Sequence, residues 1–178
     1  MEIDSRRIRR LIQRRTPRGR VLDRAVRRQQ WLDPVAKSTQ SAVGAVYSAL
    51  GAPGQLVRDL LHGTKGLGHP LHPVLTDIPI GAWSVGVLAD WLFIATGRVP
   101  PVAGDLALAI GLAGAILAVV SGYTDFHDTA GQESRVAIVH GLTMTLVVVA
   151  DVVSLVMRLA SPGARVGAIA LSTVAWAV

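Results

Sequence analysis

Three long apolar runs dominate the second half of the chain, at about 74–97, 102–122 and 136–157. Each approaches or exceeds the roughly 20 residues that an α-helix needs to cross the hydrocarbon core of a bilayer. A fourth run, 166–178, is equally apolar but too short to span, and we interpret it as the first part of a fourth helix. The pattern therefore predicts an all-α integral membrane protein, a four-helix bundle whose fourth helix is incomplete here.

The chain ahead of the first apolar run divides into two parts. In residues 1–32, apolar residues recur at helical spacing among many arginines, which predicts basic amphipathic helices. Residues 33–66 predict two short interfacial helices, the first starting with Asp33 as N-cap before Pro34. We expect the transmembrane domain to occupy residues 67–178.

The composition agrees with this pattern. Hydrophobic residues make up 51% of the chain, charged residues only 17%, and the mean hydropathy is +0.44, whereas globular chains carry about 25% charged residues. Cysteine is absent, which excludes disulfides, thiolate metal sites and a cysteine nucleophile. Because no serine stands in a recognisable nucleophile motif either, a hydrolase is disfavoured.

Basic residues are concentrated before the first span. Fourteen of the 18 lysines and arginines precede it, and the positive-inside rule then places the N-terminus in the cytoplasm. An arginine-rich arm can bind anionic lipid or nucleic acid. In a chain with three spans we expect it to lie on the anionic inner leaflet and not to bind nucleic acid. The expected lipid-facing residues are Arg6, Arg7, Arg9, Arg10, Arg14 and Arg15.

Ionisable residues inside the spans invite a functional explanation, because each costs about 2.5–3.5 kcal/mol on insertion. Asp90, Asp105 and Asp151 fall in the outer half of the membrane, where they predict a proton relay or a buried polar seam. Asp90 could instead pair with Arg98 or Arg158.

The histidines all fall at or near the opposite, cytoplasmic face. His69 and His72 precede the first span with Asp77 close behind them, and His140 lies early in the third. We expect Asp125, His127 and Asp128 in the loop between the second and third spans. The eleven residues from His140 to Asp151 bring both to within about 20° of one helix face, together with Met144, Val147, Ser154 and Arg158.

Several chemistries fit such a histidine cluster. Imidazoles from two helices could hold haem b axially, with His69 or His72 opposite His140. A transition metal could instead bind His69, His72, Asp77 and His140. Histidine could also handle protons, or simply bond a loop carbonyl in a turn that Pro70 and Pro73 make rigid.

The stretch GHPLHPVLTDIPIGAW, residues 68–83, resembles a bacterial family of membrane domains of unknown function, DUF 2231. The matching residues are His69, Pro70, His72, Pro73, Pro79, Ile80, Asp90 and His140, and the resemblance covers roughly residues 60–178. Relatives often carry a basic N-terminal region, and many continue into a Rieske-type iron–sulfur domain, whereas this chain ends inside the expected fourth helix.

The resemblance implies a redox-associated module of the bacterial inner membrane that crosses it several times. We therefore expect a non-catalytic electron-transfer domain with haem b or a transition metal at His69, His72 and His140. Its expected partner is an iron–sulfur protein or a larger respiratory-type complex, with self-association into a homo-oligomer also compatible. The alternatives are a structural anchor or assembly subunit of a membrane complex, and a transporter of metal ions or protons.

Overall fold

The computed structural model describes residues 17–63 and 68–178, which form seven α-helices and no strand. Three shorter helices come first: α1 (Pro17–Arg27), α2 (Leu32–Ala49) and α3 (Gly51–Leu61). Four more follow: α4 (His72–Thr96), α5 (Pro101–His127), α6 (Gly131–Ala160) and α7 (Arg165–Trp176). The predicted all-α fold is confirmed. The six arginines expected to face lipid, Arg6 to Arg15, lie outside the described residues.

Helices α4, α5 and α6 are each long and apolar enough to cross a membrane. α5 packs between α4 and α6, and α7 packs on α6 and against α4. Large apolar side chains on the outer faces are exposed, among them Val85, Leu88 and Leu146. Soluble monomers rarely expose apolar surfaces of this extent. These faces are therefore suited to contact with lipid.

Small residues let the three long helices approach closely along α5. The sequence places glycine and alanine on it at four-residue intervals, the pattern that permits backbone contact between membrane helices, and most of these positions are buried. A Cβ on Gly114 would lie 2.5 Å from the side chain of Ile78 on α4, and one on Gly111 would overlap the Trp83 indole. α5 is therefore the central helix of the bundle.

At one end of the bundle, helices α5 and α6 extend beyond the apolar runs from which they were predicted. α5 continues five residues past 122, and α6 begins five residues before 136, so the link between them is only residues 128–130. Asp125 and His127 therefore lie on α5 and not in the expected loop. These polar turns stay helical because α2 and α3 pack against them. We call this end of the bundle, which carries His72, Asp125 and His140, the histidine end.

Helices α1, α2 and α3 cover the histidine end. Leu32 and Ala36 of α2 are buried against Phe126 of α5 and Ile138 of α6 in one apolar cluster. Nearby, Tyr47 Oη lies 2.6 Å from Thr124 Oγ1 in a buried hydrogen bond. Helix α2 is therefore packed on the bundle through side chains from several of its turns.

Asp33 plays a different part from the predicted one. Helix α2 begins one residue earlier, at Leu32, so Asp33 lies inside the first turn and makes no cap. Its carboxylate instead accepts hydrogen bonds from Nε and Nη2 of Arg135 on α6, at 2.6 and 2.8 Å. These bonds hold the pKa of Asp33 below its ordinary value. The carboxylate oxygens that could have capped α2 therefore bind Arg135 on α6 instead.

We expect acidification to loosen α2 from α6. Because the folded-state pKa of Asp33 is lowered, its contribution to stability is complete above the ordinary carboxyl pKa of about 4 and is lost as the pH falls through the lower, folded value. Asp33→Asn should remove this pH dependence and raise amide hydrogen exchange in residues 32–49 severalfold at neutral pH. Asp77→Asn, at an exposed aspartate on α4, is the control. Equal exchange in all three proteins would contradict the prediction.

Candidate functional site

His72 is the first residue of α4, and its ring lies against α5. Its Nδ1–H donates to the carbonyl oxygen of Ala118 at 2.8 Å. Gly122 makes this approach feasible, because a Cβ there would lie 2.8 Å from Cε1 of the imidazole. A carbonyl can only accept, so Nδ1 carries a proton, and in the neutral form of the ring the lone pair is then on Nε2.

His140 is the second histidine at this end. It lies on α6 with an exposed side chain and has no hydrogen-bond partner among the described residues. Its imidazole lies within electrostatic range of that of His72. The structure therefore brings together one residue from α4 and one from α6.

The other two residues of the predicted metal site are placed differently. His69 is exposed in the turn before α4, where its Nδ1–H donates to the neighbouring Pro70 carbonyl at 3.1 Å. Asp77 is exposed on α4. In the part of the chain that the structure describes, no group of three or more His, Asp or Glu side chains is arranged to hold a metal ion. The arrangement at this end is a pair of imidazoles.

The remaining histidines attach α2 and α3 to the end of α5. His127 Nδ1–H donates to the Gln40 carbonyl at 3.0 Å. His62 lies between two carboxylates, with Nδ1 2.9 Å from Asp125 Oδ1 and Nε2 2.8 Å from Asp128 Oδ2. His127 and Nδ1 of His62 thus bond within the protein, whereas His62 Nε2 lies close to Asp128 without forming a hydrogen bond to any described residue. Both rings join the helices that precede the bundle to the end of α5.

Asp128 also pairs with Arg58 of α3, whose Nη2 lies 2.6 Å from Oδ1. Partial burial acts to raise the pKa of Asp128, but the Arg58 hydrogen bond and charge outweigh it, and the pKa is lowered. Asp128 lies in the short link after α5, yet it contacts α3. It therefore helps to attach α3 to the bundle.

The opposite end of the bundle holds a buried charge network, which we call the arginine end. Its centre is Arg158 on α6, whose side chain is fully buried. Nη1 and Nη2 donate to the two carboxylate oxygens of Asp90 on α4, at 2.9 and 2.6 Å. Asp90 thus pairs with Arg158, one of the two partners that the sequence allowed.

All five N–H groups of Arg158 are used. Besides the two bonds to Asp90, Nε donates to Ser154 Oγ at 3.2 Å and Nη2 to Ser172 Oγ at 2.7 Å. The fifth donates to Asp105 Oδ1 at 3.4 Å. A guanidinium has no further donors, so the hydrogen-bonding capacity of Arg158 is fully used. Through these bonds Arg158 connects α4, α5, α6 and α7.

Asp105 connects the network to the start of α7. Arg165 donates to both of its oxygens, at 2.9 and 3.0 Å, and these bonds raise the pKa of Arg165. Two aspartates and two arginines therefore balance in charge and are hydrogen-bonded to each other. Such pairing is what a buried ion pair needs if its desolvation is to be offset.

Asp151, the third predicted aspartate, lies in the same region but outside this balance. Its side chain is 1% exposed, and none of the described residues forms a hydrogen bond to it. The predicted stripe on α6 is buried at Val147, Asp151, Ser154 and Arg158. His140 departs from it, because the bundle covers that face of α6 only in its second half.

Sequence reasoning missed Trp83, Arg165, Ser172 and Gly104 at the arginine end. Trp83 precedes Asp90 by two helical turns and so shares its face of α4, a spacing that could have identified it. Arg165 and Ser172 carry no such signal, because α7 returns to the bundle after a turn at 161–164 whose geometry the sequence does not specify. These residues join the site through tertiary packing.

Comparison with known proteins identifies a family for most of the chain. A protein-family model described as a predicted membrane protein, DUF2231, matches residues 68–178. The matched segment begins at the turn that carries His69 and includes the whole helical bundle. No curated protein and no solved structure matches the chain.

Proposed function

The chain belongs to the DUF2231 family of membrane proteins, and from that premise we propose that it is a membrane-embedded redox module in which His72 and His140 hold haem b. The bound haem would supply one-electron oxidation and reduction. The protein's part is to position two imidazoles on different helices at one end of the bundle and to pass electrons to a partner.

The observation that carries this proposal is the hydrogen bond from His72 Nδ1–H to the Ala118 carbonyl. Histidines that bind metals usually donate their other ring N–H to a carbonyl or carboxylate, which fixes the tautomer and the ring orientation. His72 has this partner, and its Nε2 makes no hydrogen bond to any described residue. The ring is therefore set to act as a ligand through Nε2.

The residues at the histidine end fit haem better than a bare metal ion. Haem can be held by one or two imidazoles from the protein, and His72 and His140 are two imidazoles within electrostatic range of each other. A bare transition metal usually takes three or more protein ligands, and no such group exists among residues 17–63 and 68–178. His69 and Asp77 stay outside the proposed pair.

The basic N-terminal region supports an orientation with the histidine end at the cytoplasmic face of the bacterial inner membrane. In that orientation the proposed haem site and helices α1 to α3 are on the same side. An iron–sulfur protein of the Rieske type, or a larger respiratory complex that contains one, is the partner we propose for electron exchange. Anionic lipid on that leaflet would bind the arginine-rich arm.

An absorption spectrum of the purified full-length chain tests this function. Produced in a haem-replete host, the protein should show sharp haem bands that change on reduction. His72→Ala and His140→Ala should each lower the haem content severalfold, because each variant would leave one imidazole in place of two to hold the haem. His69→Ala is the matched control, since its ring is exposed and, among the described residues, bonds only to Pro70. This variant should bind haem as the unmodified chain does.

Two results would count against the proposal. One is a blank spectrum from correctly folded protein supplied with haem, which would favour the structural anchor. The other is full haem content in both His72→Ala and His140→Ala, which would place any haem elsewhere. Folding of each variant is checked by circular dichroism, so that a loss of haem is not confused with a loss of structure.

A further inference from the structure

A small cavity lies inside the arginine end, between all four helices of the bundle. Trp83, Asp90, Leu108, Asp151, Arg158 and Ser172 are among its lining residues, and its volume is about 10 Å³. A cavity of roughly this size accommodates one water molecule and little more. Its walls are polar, so a water there would find hydrogen-bond partners.

Two polar atoms at this cavity have no partner among the described residues. They are the indole Nε1 of Trp83 and the carboxyl Oδ1 of Asp151, and both are buried. Buried polar groups in native proteins are almost always hydrogen-bonded, either to protein or to an ordered water. One water in the cavity would accept from the indole N–H and donate to the carboxyl oxygen, which satisfies both atoms.

The charge balance singles out Asp151 among the carboxyl groups of the arginine end. Asp90 from α4 and Asp105 from α5 each accept arginine hydrogen bonds on both oxygens. Arg158 from α6 has all five of its N–H groups engaged, and Arg165 from α7 is bound to Asp105. Asp151 is therefore a third carboxyl in a network that two cations already balance.

We propose that Asp151 is a reversible proton-binding site and that a single water between Trp83 and Asp151 carries the proton to it. In the step, a proton from solvent passes through this water to the Asp151 carboxylate and forms the neutral acid. The reverse step returns it to solvent, and no electron is transferred. Membrane proteins that move protons use buried carboxyl groups in this way.

This site is separate from the proposed haem site. His140 and Asp151 are eleven residues apart on α6, which corresponds to about 16 Å along the helix axis. Failure of the haem proposal would therefore leave the proton site untouched, and the reverse also holds. Residues tested at one end do not contact those tested at the other.

Infrared difference spectroscopy of the full-length protein in lipid nanodiscs tests the proposal. Spectra recorded between acidic and alkaline pH should contain the carbonyl stretch of one buried protonated carboxyl, replaced by carboxylate bands as the pH rises. Asp151→Asn should remove this signal completely. Trp83→Phe should keep the signal but shift its frequency, because the water loses its indole donor. Asp77→Asn, at an exposed aspartate, should leave it unchanged.

The proposal is overturned if the unmodified protein shows no protonated-carboxyl band at any pH at which it remains folded, or if the band survives in Asp151→Asn. An unshifted band in Trp83→Phe would overturn the role of the water. If Asp151→Asn does not fold, Asp151→Glu replaces it. The band should then move to the frequency of a glutamic acid, and an unmoved band contradicts the assignment.

Discussion

Replacing Arg158 with methionine should destabilise the bundle by about 3–5 kcal/mol, the usual cost of removing one partner from a buried ion pair. Methionine roughly preserves the length of the side chain but removes all five hydrogen bonds that Arg158 donates. Asp90, whose side chain is only 3% exposed, would be left buried without its partner. The expected result is a large drop in the denaturant midpoint of the purified protein in mixed micelles, followed by circular dichroism.

Two further variants identify the cause. Arg98→Met removes an exposed arginine from the link between α4 and α5, where no described residue forms an ion pair with it, and should leave the midpoint unchanged. Adding Asp90→Asn to Arg158→Met should recover part of the lost stability, because the unpaired charge is then removed. A midpoint for Arg158→Met equal to that of the unmodified protein would refute the structural role of the network.

Substitution of Gly104 by alanine should also have a large effect. We expect the free energy of unfolding to fall by about 3 kcal/mol, the upper end of the usual range for overpacking. Gly104 lies on α5 directly beside Asp90, and an added Cβ would overlap the Asp90 carboxylate and lie 3.3 Å from Arg158 Nη1. The carboxylate cannot move aside without breaking its two bonds to Arg158. One methyl group would therefore force apart either the helices or the ion pair.

Gly81→Ala is the matched control for Gly104→Ala. Gly81 lies in the middle of α4, and a Cβ there meets no atom within 4 Å. Alanine in a helix interior is more stabilising than glycine by about 0.5–1 kcal/mol. This variant should therefore be as stable as the unmodified chain or slightly more stable. Both are measured by the same denaturant titration. Equal midpoints for the two glycine variants would contradict the close approach of α5 to Asp90.

Much of the fold could be predicted from the pattern of apolar and small residues within each segment of the chain. Runs of apolar residues long enough to span a bilayer identified α4, α5 and α6, and small residues at four-residue intervals identified α5 as a packing helix. The error lay at the histidine end, where Asp125 and His127 were expected in a loop. Hydropathy marks the part of a helix that is apolar, whereas these turns are polar and are stabilised by contacts with α2 and α3.

The candidate sites were predicted less completely, for a related reason. Helical spacing placed Asp151 and Arg158 on one face, because a single helix has a fixed repeat. It left open whether Asp90 pairs with Arg98 or with Arg158. That choice depends on how α4 and α6 are arranged around α5, which no pattern within one helix specifies.

The sequence by itself determined that this is an all-helical membrane protein, because length and apolarity are local properties of each segment. It also determined that all three spans carry ionisable residues. Only the tertiary structure decided how those residues combine: His72 near His140, Asp90 with Arg158, and Asp151 beside a cavity with no hydrogen bond from any described residue. The reason is physical, since hydrogen bonds and ion pairs form over a few ångströms between residues far apart in the chain.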